Sequence, residues 1–324
     1  MATFKTPILL ITFNRPEHTR KVLTEILKQE PQELYVCQDG AREGNENDRI
    51  KCQEVRDVIN ELTTPYALTH KDFTLHTLYQ EHNLGCGPGP AAGITWFFEH
   101  VEQGIIIEDD AIPHLDFFSY CEELLERYKD DTDVRAIGSM NVDTHPWGDG
   151  SYYFSMMNRN LCAWATWRRA WQDFDLYLRN VPWQRLDRAL KYYGGSFYER
   201  EYWLDRLAEA QQDGQGGKSW DMQFFMSIWL NQGKGIIPNV NISSNIGTVD
   251  EATHQMASGN MIDNIPTQPI LPLTHPSSTK IQSEADREFH HRYFEPQSNS
   301  LMRFVGKVNK RVKRMTGHKG SWLK

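Results

Sequence analysis

Long apolar runs and paired cysteines are both missing from this sequence of 324 residues. No stretch approaches the ~20 apolar residues of a membrane-spanning helix. The first apolar run, residues 7–13, is too short and too rich in β-branched side chains for a signal peptide. The five cysteines are an odd number without paired spacing, which argues against a disulfide framework and a zinc site made of cysteines. We therefore expect a protein of a reducing, cytoplasmic compartment.

An excess of positive charge is also lacking, except at the C-terminus. The formal net charge is -8, which argues against a nucleic-acid-binding protein. Residues 301–324, in contrast, contain eight Lys and Arg residues and no acid. Two interpretations stay open for this tail: a solvated basic terminus, or peripheral contact with an anionic membrane. Four apolar side chains would help the second, namely Leu301, Phe304, Val305 and Val308.

Three common catalytic motifs are absent as well: the GxxxxGK[ST] phosphate loop, the HExxH zinc motif and the GxSxG motif of serine hydrolases. Residues 85–90, Gly-Cys-Gly-Pro-Gly-Pro, approach a dinucleotide-binding loop. Pro90 occupies the position of the third glycine, so we reject a dinucleotide cofactor.

What the first 110 residues do contain is an alternation of apolar β-like runs and helical patterns. Residues 7–13, 33–37, 73–79 and 104–107 predict strands, and residues 16–27, 48–62 and 94–101 predict helices. Strands separated by helices indicate an α/β fold with a mostly parallel, Rossmann-like sheet.

Polar residues follow three of these predicted strands. Asn14 and Arg15 come after the first, Asp39 after the second, and residues 108–110 (Glu-Asp-Asp) after the fourth. Ligands of such sheets bind at the carboxyl ends of the strands. The sequence therefore predicts a site there for a polar, anionic or metal-linked ligand.

The acidic triplet of residues 108–110 needs something to offset its repulsion. Carboxylates a few ångströms apart raise one another's pKa or bind a divalent cation, and oxygen ligands suit Mg²⁺ or Mn²⁺. Strand alternation would direct Glu108 and Asp110 one way and Asp109 the other. The alternative is a solvated acidic turn before a helix that begins near Pro113.

The second half of the sequence is rich in tryptophan, with seven of the ten between residues 160 and 230. Helices are predicted at residues 164–177, 186–193, 200–211 and 222–230, with a glycine-rich break at 214–217. Prolines from residue 266 onward predict an extended region that leads away from the core.

Several motifs together resemble the GT-A glycosyltransferases, which transfer a sugar from a nucleotide-sugar donor. They are residues 10–16 (Leu-Ile-Thr-Phe-Asn-Arg-Pro), 37–40 (Cys-Gln-Asp-Gly), 83–87 (Asn-Leu-Gly-Cys-Gly), 106–110 (Ile-Ile-Glu-Asp-Asp), 116–120 (Asp-Phe-Phe-Ser-Tyr) and 220–221 (Trp-Asp). The chain is most similar to the N-acetylglucosaminyltransferase I type and to bacterial sugar transferases near family 2, over about residues 5–255.

This resemblance implies a catalytic domain at residues 1–262, followed by an extension with a basic tail at 263–324. Residues 1–125 would bind the nucleotide-sugar and residues 126–262 the acceptor. The donor would be a UDP-sugar, carrying GlcNAc or another hexose, and the acceptor a glycan, a glycolipid or a glycoprotein. The enzyme would lie in the bacterial cytoplasm or peripherally on the inner membrane face.

The resemblance also implies a role for each site residue. The set that would bind the nucleotide-sugar is Thr12, Asn14, Arg15, Asp39, His82, Glu108 and Asp109. Within it, Arg15 would contact the diphosphate, Asp39 the uracil N3–H, Asp109 the ribose and Glu108 the donor sugar. Asp110 and His254 would ligate Mn²⁺ or Mg²⁺.

On the acceptor side, Asp221 would be the catalytic base that deprotonates the acceptor hydroxyl, and direct attack would invert the anomeric carbon. The family has a second acid after this Asp, whereas the present sequence has Met222. Trp164, Trp167 and Trp220 would form the acceptor wall, because aromatic faces stack on sugar rings.

Simpler roles remain open for the same positions. Arg15 could be an exposed residue at a helix start, Asp39 part of a turn, Asp221 a helix cap and His254 a structural histidine. Two other functions also remain: a nucleotidyltransferase that makes sugar nucleotides, and a non-catalytic carbohydrate-binding protein. The acidic triplet argues against the second, since a lectin has no need of a phosphate–metal site.

Overall fold

A computed structural model describes residues 4–143, 145–157, 162–212, 219–247, 264–293 and 301–316. The strands in these residues are β1 Ile8–Thr12, β2 Glu33–Gln38, β3 Thr74–Tyr79, β4 Gln103–Glu108, β5 Ala111–Pro113, β6 Val134–Gly138, β7 Tyr152–Ser155, β8 Ala163–Trp167, β9 Lys234–Pro238 and β10 Ser243–Asn245. The helices are α1 Pro16–Leu27, α2 Glu46–Thr69, α3 Pro88–His100, α4 Asp116–Arg127, α5 Arg168–Trp171, α6 Trp183–Tyr192, α7 Phe197–Gln212, α8 Asp221–Leu230, α9 Ser283–Tyr293 and α10 Leu301–Thr316.

Eight of the strands form one central sheet in the order β3-β2-β1-β4-β8-β6-β9-β7. β7 and β8 run antiparallel to the other six. A small antiparallel pair, β5 with β10, lies beside it. The predicted α/β class, with a mostly parallel, Rossmann-like sheet flanked by helices, is confirmed.

Helices cover both faces of the sheet because its central strands are apolar on both sides. Every residue of β1 is buried, as expected for a continuous apolar run in a parallel sheet. On one face, α1, α2 and α4 pack their apolar sides into one core cluster. On the other face, α3 and the tryptophan-rich α6, α7 and α8 form a second cluster.

The four early strands lie where the sequence predicts them, but two helices are longer than predicted. α2 begins at Glu46, with the side chain of Asn45 accepting a hydrogen bond from Asp48 N, and continues through Pro65 to Thr69. α3 begins at Pro88, six residues before the predicted start. Proline at the first helical position is favourable, since its missing N–H would have no partner there.

The helix predicted at residues 164–177 is wrong. The chain instead forms β8, which pairs with β4 on one side and β6 on the other, and then the single turn of α5. All five residues of β8 are buried. A short apolar run that is buried on both faces cannot be distinguished from a buried helix by its periodicity.

The proline-containing region also differs from its prediction, because it packs back on the sheet domain. Ile270 N donates to Asp116 Oδ2 at 2.8 Å, and Ile281 forms a bridge with Phe154 of β7. α9 then lies against β7, where Asp286 accepts a hydrogen bond from Met156 N. Among the described residues, no helix has the length and apolar character that spanning a bilayer requires.

Candidate functional site

The topology brings the predicted polar residues together at one rim of the sheet. β1 lies between β2 and β4, and all three run parallel, so their carboxyl ends meet. Thr12 pairs with Gln38, and Ile11 pairs with Glu108. Arg15, Asp39 and the acidic triplet therefore follow adjacent strand ends, which is where open parallel sheets bind ligands.

Arg15 lies against two of the three triplet acids. Its Nη1 is 2.9 Å from Asp110 Oδ2 and 3.4 Å from Asp109 Oδ1. Asp109 also accepts a hydrogen bond from Phe13 N at 3.4 Å. One guanidinium thus balances part of the charge of two carboxylates, and the rim keeps a net negative charge.

A second cluster in the rim has the donor atoms of a metal site. Ligand atoms of Glu108, Asp110 and Cys162 lie within 4.8 Å of one another. Asp110 Oδ1 is buried and has no hydrogen-bond partner among the described residues. A buried carboxylate oxygen without a donor is costly unless a cation meets it, so these residues fit a divalent ion.

Cys162 is a site residue that the sequence did not predict. It precedes β8, and its carbonyl accepts a 2.7 Å hydrogen bond from Glu108 N. Asn245, also not predicted, donates to its Sγ at 3.5 Å. Assigning residues 164–177 to a helix hid this neighbour, since only the pairing of β8 with β4 brings Cys162 to the acids.

Burial dominates the electrostatics of the triplet. It raises the pKa of Asp109 to about 7, against the opposing effect of Arg15 and with a further increase from Asp110. Burial also raises the pKa of Glu108 well above its usual range, and the charges of Asp110, Asp109 and Asp221 add to the rise. Ionisation of these acids is therefore unfavourable in the metal-free rim, and a bound cation would favour it.

We expect Glu108→Gln to stabilise the protein when divalent metal is removed with EDTA. Because the folded-state pKa of Glu108 lies well above its unfolded value, its contribution to stability is present at low pH and is lost as pH rises toward the folded-state pKa. Removing one acid should therefore raise Tm by about 1–4 °C near pH 8 and by less near pH 5. Thermal unfolding at both pH values measures this. Glu99 is an exposed acid on α3, so Glu99→Gln is the matched control. A lower Tm for Glu108→Gln near pH 8 would contradict the argument that the charge of Glu108 destabilises the metal-free protein.

Asp221 reaches the same rim from the other half of the chain. It is the first residue of α8, and its charge contributes to the raised pKa of Glu108. Trp220 beside it stacks on Trp164, with ring centroids 5.7 Å apart at 27°. Both rings are buried, Trp164 fully, and the indole N–H of Trp164 has no hydrogen-bond partner in the part of the chain that the structure describes.

Trp167 does not lie at this rim. It belongs to the apolar cluster on the opposite face of the sheet from Trp164 and is 3% exposed. Its Nε1 donates to Leu125 O at 3.2 Å, and Arg169 covers its ring at 4.3 Å. This position argues against the predicted acceptor role of Trp167, because successive side chains of a strand point to opposite faces and the odd spacing from Trp164 reverses the face.

Asp39 anchors a loop with all of its acceptor positions. Oδ1 accepts from Gly40 N and Leu84 N, at 2.9 and 2.8 Å. Oδ2 accepts from Asn83 Nδ2 and Gly85 N, at 2.9 and 3.0 Å. Since a carboxylate has about four lone-pair sites, a nucleobase N–H could bind only by displacing one of these donors.

The same loop sets the shape of the rim at Gly40 and His82. A Cβ on Gly40 would lie 2.5 to 2.8 Å from backbone atoms of His82, so only glycine permits this approach. The His82 side chain is exposed beside the predicted nucleotide site. At this part of the rim, Gly40 and the backbone of His82 are therefore in direct contact, with no side chain packed between them.

The side chains of Asn14 and Thr12 donate hydrogen bonds to other groups of the protein. Asn14 Nδ2 donates to Asp48 Oδ1 at 2.8 Å, and Thr12 Oγ1 donates to Cys37 O at 3.1 Å. Asp48 is fully buried and also binds the guanidinium of Arg42. The hydrogen bond from that guanidinium lowers the pKa of Asp48 and outweighs burial, which acts in the opposite direction and raises it. Asp48 and Arg42 are further rim residues that no sequence motif indicated.

The chain returns to the acidic rim after β10. Ile246 N donates to Asp110 O at 2.8 Å, and its own carbonyl lies 3.3 Å from His18 Nε2. A Cβ on Gly247 would be 2.8 Å from Asp110 Oδ2. His254, the predicted second metal ligand, lies outside the described residues.

Comparison with known proteins gives only distant similarities. No protein-family model matches the sequence, and no curated protein matches it. Among solved structures, the mannosyltransferase PcManGT from Pyrobaculum calidifontis, in complex with GDP-Man and Mn²⁺, is 13% identical, with a TM-score of 0.36 over 71% of this chain and 70% of that one. The 4-diphosphocytidyl-2C-methyl-D-erythritol synthase from Anaerococcus prevotii is 12% identical, with a TM-score of 0.32 over 52% and 73%. HddC from Yersinia pseudotuberculosis, complexed with GMP-PN, is 11% identical, with a TM-score of 0.31 over 52% and 80%.

Proposed function

We propose that the protein is a metal-dependent glycosyltransferase that moves a hexose, such as GlcNAc, from a UDP-sugar to an acceptor hydroxyl with inversion. The observation that supports this most is the meeting of Arg15, the acidic triplet and Asp221 at one sheet rim. A cation, a cluster of metal-binding carboxylates and a separate acid are the groups that this reaction needs. The acceptor we propose is a glycan, a glycolipid or a glycoprotein at the inner face of a bacterial membrane.

Donor binding is proposed to use the charges already present at the rim. Asp110 and Glu108 would hold Mn²⁺ or Mg²⁺, with His254 as a further ligand, and the ion would neutralise the diphosphate leaving group. Arg15 has a planar guanidinium, which suits phosphate oxygens as well as it suits the carboxylates it now contacts. Asp109 is the proposed acceptor for a ribose hydroxyl.

Acceptor activation is assigned to Asp221. A general base must be an ionised acid within hydrogen-bond reach of the hydroxyl that attacks. Asp221 is half-buried at the start of α8 and close enough to Glu108 to raise its pKa. Attack on the anomeric carbon from this side, opposite the diphosphate, would invert its configuration. Trp164 and Trp220 are buried, so neither is proposed as an acceptor wall; Trp220, directly before Asp221, would hold the start of α8 in place.

A nucleotide panel tests the proposal as a whole. We expect UDP and UDP-sugars to raise Tm in the presence of Mn²⁺ and to have little effect in EDTA, because a ligand of the folded state stabilises it by mass action. At 100 times Kd the stabilisation is about 2.7 kcal/mol. CDP, GDP and ADP under the same conditions are the controls. A shift with nucleoside triphosphates and none with UDP-sugars would favour the nucleotidyltransferase alternative.

A further inference from the structure

The C-terminal helix α10 is fixed to the protein by its basic side. Arg311 Nη1 lies 2.8 Å from Glu201 Oε1, and its Nη2 lies 2.5 Å from Asp187 Oδ2. Arg314 Nη1 is 2.5 Å from Glu201 Oε2, and Arg314 also binds Asp205. Glu201 is fully buried, so these arginines compensate a carboxylate that water does not reach.

Two lysines of α10 form further ion pairs on the same side of the helix. Lys310 Nζ is 2.8 Å from Asp205 Oδ2, and Lys307 Nζ is 3.4 Å from the same atom. The two arginines and two lysines that anchor α10 therefore pair with acids of α6 and α7. This differs from both interpretations of the tail drawn from the sequence, which had these basic residues facing water or lipid.

Three large apolar side chains of α10 are exposed. Phe304 is 44% exposed, Val312 36% and Met315 68%. At 100° per residue these side chains fall within about 80° of one another on the helix, and Val308 lies between them. We call these four residues the apolar stripe. Phe304 is partly covered by Phe197 and Tyr198, at ring-centroid distances of 5.9 and 6.4 Å, and Val308 is half-buried.

We propose that the apolar stripe inserts into the interfacial layer of a bilayer that contains anionic phospholipid. The charge around it favours this partner. Residues 301–316 contain six basic residues and no acid. Four of the six, Lys307, Lys310, Arg311 and Arg314, pair with three carboxylates, one of which, Asp187, is shared with Arg200. A positive surplus is left beside the stripe, and Lys310 is 57% exposed. An apolar stripe flanked by cations is typical of helices that lie in the membrane interface.

The geometry also orients the helix for this role. Because its basic side binds α6 and α7, the helix is already folded and held when it meets a membrane, with the stripe turned outward. The stripe spans residues 304 to 315, roughly 17 Å along the helix axis. This proposal does not depend on the glycosyltransferase activity, since it rests on α10 and its neighbours alone.

Vesicle co-sedimentation of the full chain tests the proposal. The test variant is Val312→Glu with Met315→Glu, which puts two charges into the stripe. The matched control is Gly306→Glu with Asn309→Glu, which puts the same two charges on another side of the helix. A Cβ on Gly306 meets nothing within 4 Å. Deletion of the helix is a poor test, because it would leave Glu201 buried without its arginines.

With vesicles of phosphatidylcholine and phosphatidylglycerol, we expect the wild type to bind and the stripe variant to lose at least about tenfold more affinity than the control. Pure phosphatidylcholine should bind the wild type weakly. Equal losses in the two variants, or no binding of the wild type to anionic vesicles, would overturn the proposal. So would wild-type self-association without lipid, in sedimentation velocity, that the stripe variant abolishes, since the stripe would then be a contact between copies. UDP and Mn²⁺ binding, measured on all three proteins, should be equal and reports separately on the donor site.

Discussion

Replacing Asp110 with Asn should reduce Mn²⁺-dependent UDP binding by at least about 10²-fold. The reason is that mutating even a residue that only hydrogen-bonds to a metal ligand typically lowers metal affinity or activity by about 10–100-fold. The substitution keeps the shape of the side chain and removes its charge. Arg15 retains Asp109 as a partner, so the fold of the rim should survive. Calorimetric titration of UDP, with Mn²⁺ and with EDTA, measures the effect directly.

Asp130→Asn is the matched control for this experiment, since Asp130 is an exposed acid at the end of α4. It should leave both the affinity and its Mn²⁺ dependence unchanged. Thermal unfolding checks that both variants are folded. If Asp110→Asn binds UDP as tightly as the wild type in Mn²⁺, the buried Oδ1 of Asp110 is not a metal ligand, and the assignment of the acidic triplet has to be abandoned.

The second large effect is expected for Asp221→Asn, which should slow sugar transfer at least about 10²-fold while UDP affinity changes little. Asparagine keeps the size of the side chain but cannot accept a proton at neutral pH. Single-turnover transfer with saturating donor measures the chemical step. The lower limb of the pH–rate profile, which would report ionisation of this base, should disappear in the variant.

A purely structural role for Asp221 predicts a different pattern. The helix-cap role is wrong, because Asp221 is the first residue of α8 and Trp220 is the N-cap; what remains is a negative charge near the helix N-terminus, worth about 0.3–1 kcal/mol. If Asp221 is the base, Asp221→Asn and Asp221→Ala should both lose activity at least about 10²-fold. If its charge only stabilises the helix, both variants should lower Tm slightly and retain full transfer activity, which would exclude Asp221 from the mechanism.

The sequence predicted the fold well where local patterns are strong. The apolar runs of β1 and β4 are short, rich in Ile and separated by helical patterns, which favours strands buried on both faces. Parallel strands then place Arg15 and the triplet at one rim. What failed was β8, because its identity depends on pairing with β4 and β6 and not on its own periodicity. Cys162 was missed together with it.

Contacts between distant positions could not be predicted. Asn14 and Asp48 are 34 residues apart, and nothing in either segment indicates that one binds the other. The basic tail is a larger case: Arg311 and Glu201 are 110 residues apart. Counting charges along the sequence assigned the tail to solvent or lipid. Burying the carboxylate of Glu201 without positively charged partners would cost free energy, so the arginines of α10 lie beside it.

The backbone approach at Gly40 also limits how this protein can diverge. Any side chain at this position would collide with His82, and the loop that would have to move is the one that Asp39 anchors. Homologues that retain the rim should therefore keep glycine here even where the neighbouring rim residues drift. Lineages that have lost this glycine should have changed the length of the loop in the same step.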